Sequence, residues 1–299
     1  GKKMKKLLAL LLGGIMAVSM AACSSGQDPA SSTGTDGSSQ AENSPSQTAD
    51  SSAIKVGVVL STGGLGDKNF NDMTYNGLLK AQEDFGIEFD YVEPQSNSDF
   101  VPNHRMFAES EEYDLIIGLG SDQIEAIKEV GADFPDQKFS LVDGSLEQPN
   151  VSSVFTKWQE QTFLTGVIAG LSTTSDMDKA NKENTVGVVL GMELPNLMEG
   201  VAGFTAGVRY VNPNCEVLTA VVGNFNDPSK GKEIALSMYN RGADFVQHIA
   251  GASGLGVFNA AKAANRYAFG VGGHKNANEP DDIVATAIRN VDEMVYNEV

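Results

Sequence analysis

One alternation constrains this chain more than anything else in it, and it runs twice. Between residues 54 and 171, short apolar runs alternate with segments of helical periodicity, and the same order restarts near residue 185. Ile54–Leu60 is almost continuously apolar, which suits a strand buried on both faces of a parallel sheet. Further strands are expected at Glu88–Glu93, Asp114–Gly118, Lys138–Val142 and Val151–Thr156. In the second stretch they are expected at Thr185–Leu190, Val217–Val222, Asp244–Ile249, Tyr267–Val271 and Ile283–Ala287. Helical spacing falls on Phe70–Phe85, Asn103–Glu111, Asp122–Val130 and Phe163–Leu171, then on Met198–Tyr210, Lys230–Arg241, Gly256–Asn265 and Val291–Val299. Two α/β lobes with parallel sheets follow from this order. In such sheets ligands sit outside the carboxyl ends of the strands. That rule selects the loops Ser61–Asn71, Gly118–Gln123 and Asp143–Glu147, and in the second lobe Gly191–Pro195, Gly223–Lys230, Ala250–Gly254 and Gly272–Asn276.

Composition narrows the function classes. The 299 residues carry 21 Lys+Arg against 39 Asp+Glu, a formal charge of −18. So acidic a chain repels phosphate backbones, which argues against a nucleic-acid partner. Two Cys and three His exclude a disulfide framework, a zinc ribbon and a His-rich cage, so neither metal nor cofactor is expected.

The N-terminus reads as an address. Lys2, Lys3, Lys5 and Lys6 precede an apolar run from Leu7 to Ala22 broken by Gly13-Gly14, too short for a comfortable span and suited to a secretory signal. It ends Met20-Ala21-Ala22-Cys23, which resembles a bacterial lipobox with Met where Leu is more usual. Residues 1–22 are therefore expected to be a leader and Cys23 a lipidated anchor; an ordinary signal peptide with an incidental Cys is the plainer alternative. Residues 24–53 are Ser, Thr, Gly, Gln, Ala, Asp and Pro, too poor in apolar mass to offset ordering entropy, and read as a tether. The expected division is 54–170, completed by 288–299, for lobe 1, and 171–287 for lobe 2.

Several residues carry candidate chemistry. Ser61-Thr62-Gly63-Gly64-Leu65-Gly66-Asp67-Lys68-Asn69-Phe70-Asn71 lies between a strand and a helix, so its amides can hold a polar ligand; the plain reading is a glycine-rich connector. No Gly-Lys-Ser/Thr closes it, so it is not a Walker loop. Gly251-Ala252-Ser253-Gly254-Leu255-Gly256 is a near miss to two glycine motifs; it reads either as close backbone approach to a ligand or as a tight turn. Asp143 ends a buried strand, where a carboxylate can accept from ligand N–H groups or cap a turn. Trp158 and Phe163 fall at the handover between lobes, where they line the cleft or pack between helices. His104, beside Arg105, reads as part of a surface helix, His248 as a satisfied core histidine, and Cys215 as a quiet structural thiol. The acidic cluster Glu109, Glu111, Glu112 and Asp114 reads as a solvated face. No Ser–His–Asp grouping emerges, so no enzyme is expected.

Gly63-Gly64 … Asp67-Lys68-Asn69-Phe70-Asn71, Phe139-Ser140-Leu141-Val142-Asp143, Phe163-Leu164-Thr165-Gly166, Gly203-Phe204-Thr205-Ala206-Gly207 and Gly242-Ala243-Asp244 occur in that order. The set resembles the basic membrane protein family of lipoproteins, which includes purine-nucleoside receptors of ABC importers, over residues 54–299. The resemblance implies a type I periplasmic-binding-protein fold, α/β with two Rossmann-like lobes closing on a ligand cleft, and binding without chemistry. It implies that Phe70 stacks on a base and that Asn71 and Asp143 hydrogen-bond it. A small nucleoside-like or nucleobase-like ligand, permease and ATPase partners, a monomeric chain and a lipid-anchored place on the outer face of a bacterial cell membrane are the expectations that follow. A surface sensor on the same fold with a non-nucleoside ligand is the alternative.

The departures from that family bear on the ligand. Relatives usually carry an Asp nine residues before the stacking Phe, where this chain has Ser61. A second ribose-gripping Asp follows Gly-Val in relatives, where Gly270-Val271 is followed here by Gly272. A second aromatic is often found where Gly200 stands. Arg289 stands where relatives often have Lys, and His274 and Lys275 can add polar contacts, so an acidic ligand also fits. The expected ligand-contacting set is Ser61, Asp67, Phe70, Asn71, Asp143, Trp158, Gly251, Lys275 and Arg289, with the base pole kept and the sugar pole largely lost. Relatives usually continue by about a strand and a helix beyond Val299.

Overall fold

In the computed structural model, residues 53–273, 275 and 281–299 are described. The expected leader, Cys23, the tether up to residue 52 and His274 lie outside them. The first sheet joins β1 (Lys55–Val59), β2 (Glu88–Val92), β3 (Leu115–Leu119), β4 (Phe139–Val142) and β5 (Val151–Val154) in the order β2-β1-β3-β4-β5. The second joins β6 (Thr185–Leu190), β7 (Glu216–Val221), β8 (Ala243–Ile249), β9 (Tyr267–Gly272) and β10 (Ile283–Ile288) in the order β10-β9-β8-β6-β7. Every strand pairing in both sheets is parallel. The central strands are buried nearly throughout, as their apolar runs require, while the edge strands β2 and β7 carry the polar and exposed positions.

Among the described residues eight α-helices cover the sheet faces: α1 (Phe70–Phe85), α2 (Phe100–Ser110), α3 (Ile124–Asp133), α4 (Trp158–Ser172), α5 (Pro195–Val211), α6 (Pro228–Asn240), α7 (Gly254–Ala264) and α8 (Val291–Glu298). On one face of the first sheet, Leu78 and Ala81 of α1 meet Val291 and Val295 of α8 over Val56 and Val58. On the other, Phe100 and Phe107 of α2 and Ile127 of α3 pack over Val59, Ile116 and Leu141. In the second sheet, α6 and α7 cover one face around Val246 and Ala268, and α4 and α5 the other around Phe245 and Phe269.

Five helices (α2, α4, α5, α6 and α7) begin earlier than apolar spacing indicates, and two of them start at a proline. Pro195 and Pro228 are first-turn residues, and Asp227 caps α6 by accepting from Lys230 N–H at 2.8 Å. The helix α4 packs against α5 and β10 of the second sheet, so a boundary at residue 170 falls inside it. The α4–α5 approach is close enough to require glycine. A Cβ on Gly207 would run into the carbonyl oxygen of Phe163 and stand 2.9 Å from Val167 N. Phe163 itself packs against Tyr210 in that helix pair, the rings tilted with centres 5.8 Å apart, and is a packing residue. Among the described residues no helix is long and apolar enough to cross a membrane.

His104 corrects the expectation of a surface helix. The imidazole is fully buried between α2 and the first sheet, with Nε2 2.7 Å from Gln123 Oε1. Burial lowers its pKa to about 4. Gln123 in turn donates to the carbonyls of Val59, Leu60 and Leu119, tying together the carboxyl ends of β1 and β3. Arg105, the next residue along α2, lies on the outer side of the helix and pairs with Asp133 and Glu129.

Candidate ligand-binding site

A cavity of about 60 Å³ lies where the carboxyl ends of both sheets meet. The first sheet's loops contribute Ser61, Asp67, Phe70, Asn71, Asp122 and Asp143; the second's contribute Asn196, Phe225, Ile249, Gly251 and Val271. Trp158 and Arg289 come from the two segments that carry the chain between sheets. Six of the seven loops selected by the strand-end rule supply lining residues, which is why that rule found the site.

The loop after β1 is built around its own polar groups. Asp67 is buried and accepts from the N–H groups of Asn69 (2.8 Å), Asn71 (2.9 Å) and Asp72 (3.2 Å), and from Asn71 Nδ2 (3.1 Å). Its carboxylate thus organises the start of α1, although burial pushes its pKa up. Asn71 accepts from Ser61 N–H at 2.9 Å and donates to Asp67, which leaves one hydrogen and one lone pair of the amide for other partners. Together these bonds fix the ring of Phe70 at the cavity wall.

Asp143 sits at the end of β4 in the left-handed region, φ +65°, which Asp and Asn tolerate better than most residues. Its N–H donates to Val154 O at 2.7 Å, and its carboxylate meets Arg289 Nη1 at 3.2 Å and Thr156 Oγ1 at 3.4 Å. Both side chains of the Asp143–Arg289 pair are only 6% exposed. Burial pushes the Asp143 carboxyl up and the Arg289 guanidinium down, and each charge opposes the shift of the other. The guanidinium carbon lies 4.2 Å from the Trp158 ring centre and 5.1 Å from that of Phe70.

Four lining residues outside the expected ligand-contacting set complete the walls. Asp122 lines the cavity with Oδ2 buried and unpartnered, and burial, reinforced by the nearby Asp143 charge, raises its pKa to about 7. A carboxyl that titrates near neutrality can donate as the acid or accept as the anion. Ser121 Oγ donates to Asn196 Oδ1 at 2.6 Å, and Asn196 Nδ2 donates to Asp143 O at 3.2 Å, so α5 is bridged to two loops of the first sheet. Asn69 explains Gly272. That glycine has φ +87°, and the space its Cβ would take is filled by Asn69 Oδ1. Asp122, Ser121 and Asn69 lie inside loops the strand-end rule selected; no local pattern marked Asn196.

The site brings together Ser61, Asp67, Phe70, Asn71, Asp143, Trp158, Gly251 and Arg289. It does not bring in Lys275, whose stem packs over Gly270 while its N–H donates to Thr286 Oγ1 at 3.1 Å. A second aromatic, absent at Gly200, is supplied by Trp158, whose Cε3 lies 3.6 Å from where a Cβ on Gly200 would stand. His248 is buried against Phe258 at the floor of the second sheet, but neither ring nitrogen has a hydrogen-bond partner, so the expectation of a satisfied core histidine is corrected. Burial lowers its pKa to about 3. Among the described residues no group of three or more His, Cys, Asp or Glu is placed to hold a metal ion.

Comparison with known proteins gives the site a context. Residues 54–299 match the family model described as ABC transporter substrate-binding protein PnrA-like. A lipoprotein of Pyrococcus horikoshii is 31% identical over 259 residues, covering 83% of this chain and 63% of the relative. The ABC transporter nucleoside-binding protein BmpA of Lactococcus lactis is 31% identical over 217 residues, covering 71% of this chain and 59% of its own length. This chain thus spans about three fifths of the length of both relatives. A crystal structure of an ABC transporter solute-binding protein from Aeropyrum pernix superposes with a TM-score of 0.77 at 31% identity, over 82% of this chain and 69% of that one.

Proposed function

Because the chain belongs to the family of PnrA-like ABC transporter substrate-binding proteins, we propose that it is the receptor of an importer, holding a nucleoside-like or nucleobase-like molecule between its two sheets. The observation that carries the reading is the convergence of two aromatic rings, Phe70 and Trp158, with the buried carboxylate of Asp143 in one cavity. Flat aromatic faces accept a heterocycle by stacking, and a carboxylate with an amide reads the donors and acceptors along its edge. Asp122, Ser121 and Asn196 form a polar end that offers hydrogen bonds where Ser61 and Gly272 offer no acid. The family is one of solute-binding proteins, and the reading assigns binding and release with no covalent step.

In this reading the chain crosses between lobes at residues 155–157 and 289–290, and the lobes close on the ligand by bending there. The protein acts as a monomer, is held to the outer face of the membrane through lipid on Cys23, and hands its ligand to a permease driven by an ATPase. The name of the Pyrococcus relative, a lipoprotein, supports the anchor.

Thermal unfolding of the purified protein, partly unfolded and refolded to strip carried-over ligand, tests the reading. Bases, nucleosides, deoxynucleosides and nucleotides are added in turn. A ligand at about 100 times its dissociation constant adds about 2.7 kcal/mol, a visible rise in midpoint. The rise is expected with at least one base or nucleoside and is expected to vanish in Phe70→Ala. A folded protein whose midpoint none of these compounds moves would overturn the assignment.

A further inference from the structure

The guanidinium of Arg289 fills the place between Phe70 and Trp158 where a ligand ring would stack. Its main chain is fixed at the carboxyl end of β9, with N–H donating to Gly272 O at 3.1 Å, and its side chain turns inward. A guanidinium is flat, lies on aromatic faces and offers paired N–H donors to a carboxylate. A base bearing a ring N–H or an amino group presents the same face and the same donors to the same Asp143. Arg289 is not held as a finished core residue would be. Its Nε is buried without a partner, and of its Nη groups Nη1 makes the ion pair with Asp143. Burying such a pair costs desolvation that a single contact repays poorly, so the arrangement is a weak choice for stability and a ready one for exchange.

Arg289 also lies at a mechanical junction. Ile288 ends β10 in the second sheet, and Val291 begins α8, which packs on α1 and β4 of the first. The carbonyl of Ile288 accepts from Gln161 of α4. A side chain that leaves the cavity does so from the segment that joins the sheets.

We infer that Arg289 is a built-in competitor for the ring site: its guanidinium stacks on Phe70 and Trp158 and pairs with Asp143 in the free protein, and a ligand ring gains Asp143 by displacing it. This rests on the reading of the cavity as the ligand site. It sets the affinity of the receptor through the fraction of time the guanidinium is out, and it makes ligand entry move the 288–290 crossover.

The chain has one tryptophan, so emission from Trp158 reports on the cavity whatever the ligand. In Arg289→Ala, guanidinium ion at low millimolar concentration is expected to bind saturably, returning Trp158 emission and its protection from acrylamide to wild-type values. The wild type is expected to give no saturable response, and the double variant R289A/F70A none either. Purine nucleosides are expected to bind Arg289→Ala about tenfold or more tightly than wild type, the gain for a site that is open about a tenth of the time. Arg289→Lys keeps a charge beside Asp143 and guards against a folding defect in the alanine variant. It lacks the planar fork, and nucleosides should bind it at least about threefold more tightly than wild type. No saturable guanidinium response, or nucleoside binding weakened in both variants, would overturn the inference and make Arg289 a ligand contact. Saturable guanidinium binding with no nucleoside binding in any variant would leave Arg289 as an internal occupant and remove the nucleoside reading instead.

Discussion

Asp122→Asn should change the pH dependence of stability in one direction and by a calculable amount. The Asp122 carboxyl is partly buried at the cavity wall, and burial raises its pKa from 3.8 to about 7. Below pH 3.8 both the folded and unfolded chains hold this proton, and the group contributes its full stabilisation. Between 3.8 and about 7 the unfolded chain releases the proton while the folded chain keeps it, so stability falls as pH rises. At 1.36 kcal/mol per unit the whole window is worth about 4 kcal/mol, and about half of that remains after discounting the side of Asp122 that faces solvent. Asparagine has nearly the same shape and no charge at any pH. Urea unfolding of both proteins at pH 4.5 and pH 8 isolates the effect, because the titrating groups not coupled to Asp122 cancel in the difference. The variant should gain about 2 kcal/mol on the wild type over that interval, a midpoint displacement of about 1 M for a slope near 2 kcal/mol/M. A difference constant to within about 0.5 kcal/mol would refute the argument that burial holds Asp122 near neutrality.

Three further outcomes are expected. Gln123→Ala removes the amide that ties Val59, Leu60 and Leu119 to His104 and should cost about 3 kcal/mol in denaturant unfolding, with the loss of that buried network as the cause. His104, held neutral with a pKa of about 4, should show no imidazole titration by NMR between pH 5 and 8; it contributes stability above pH 6.5 that is lost as pH falls towards 4, up to about 3 kcal/mol. The Cys215 thiol, buried and pushed up to about 11, should resist alkylation at pH 8 in the folded protein and react in urea, as peptide mapping would show.

Strands were the most legible part of this chain. Runs such as Val56–Leu60 and Thr185–Leu190 are apolar because both faces are covered, and that needs no tertiary knowledge to read. Helix starts were harder, since Pro195 and Pro228 carry no apolar periodicity. His104 was misread because its neighbour Arg105 is charged and exposed, while its own position faces Phe139 and Gln123; one residue's step around a helix reverses its environment. In the site, Phe70, Asn71 and Asp143 stand in loops that topology selects, and Trp158 stands at the handover between lobes. Asn196 carries no local signal and Asn69 none for its particular role, because each acts through a partner more than fifty residues away in sequence: Asn196 bridges to Ser121 and Asp143, and Asn69 fills the space beside Gly272. Lys275 stood in a selected loop, yet its stem packs over β9 because Gly270 leaves room for it.

The placement of α8 has a consequence for how the molecule comes into being. The last described helix closes the first sheet, with Val291 and Val295 filling the hollow beside Leu78 and Ala81 and Glu298 accepting from Ser140. Every described strand between β5 and that helix belongs to the second sheet. A chain synthesised from its N-terminus therefore finishes the second core while one wall of the first is still bare. During that interval the apolar side of α1 lacks the cover that Val291 and Val295 give it. Chaperone capture or mispairing should centre on it, and substitutions at Val291 or Val295 should lower yield more than they lower the melting temperature of the molecules that mature.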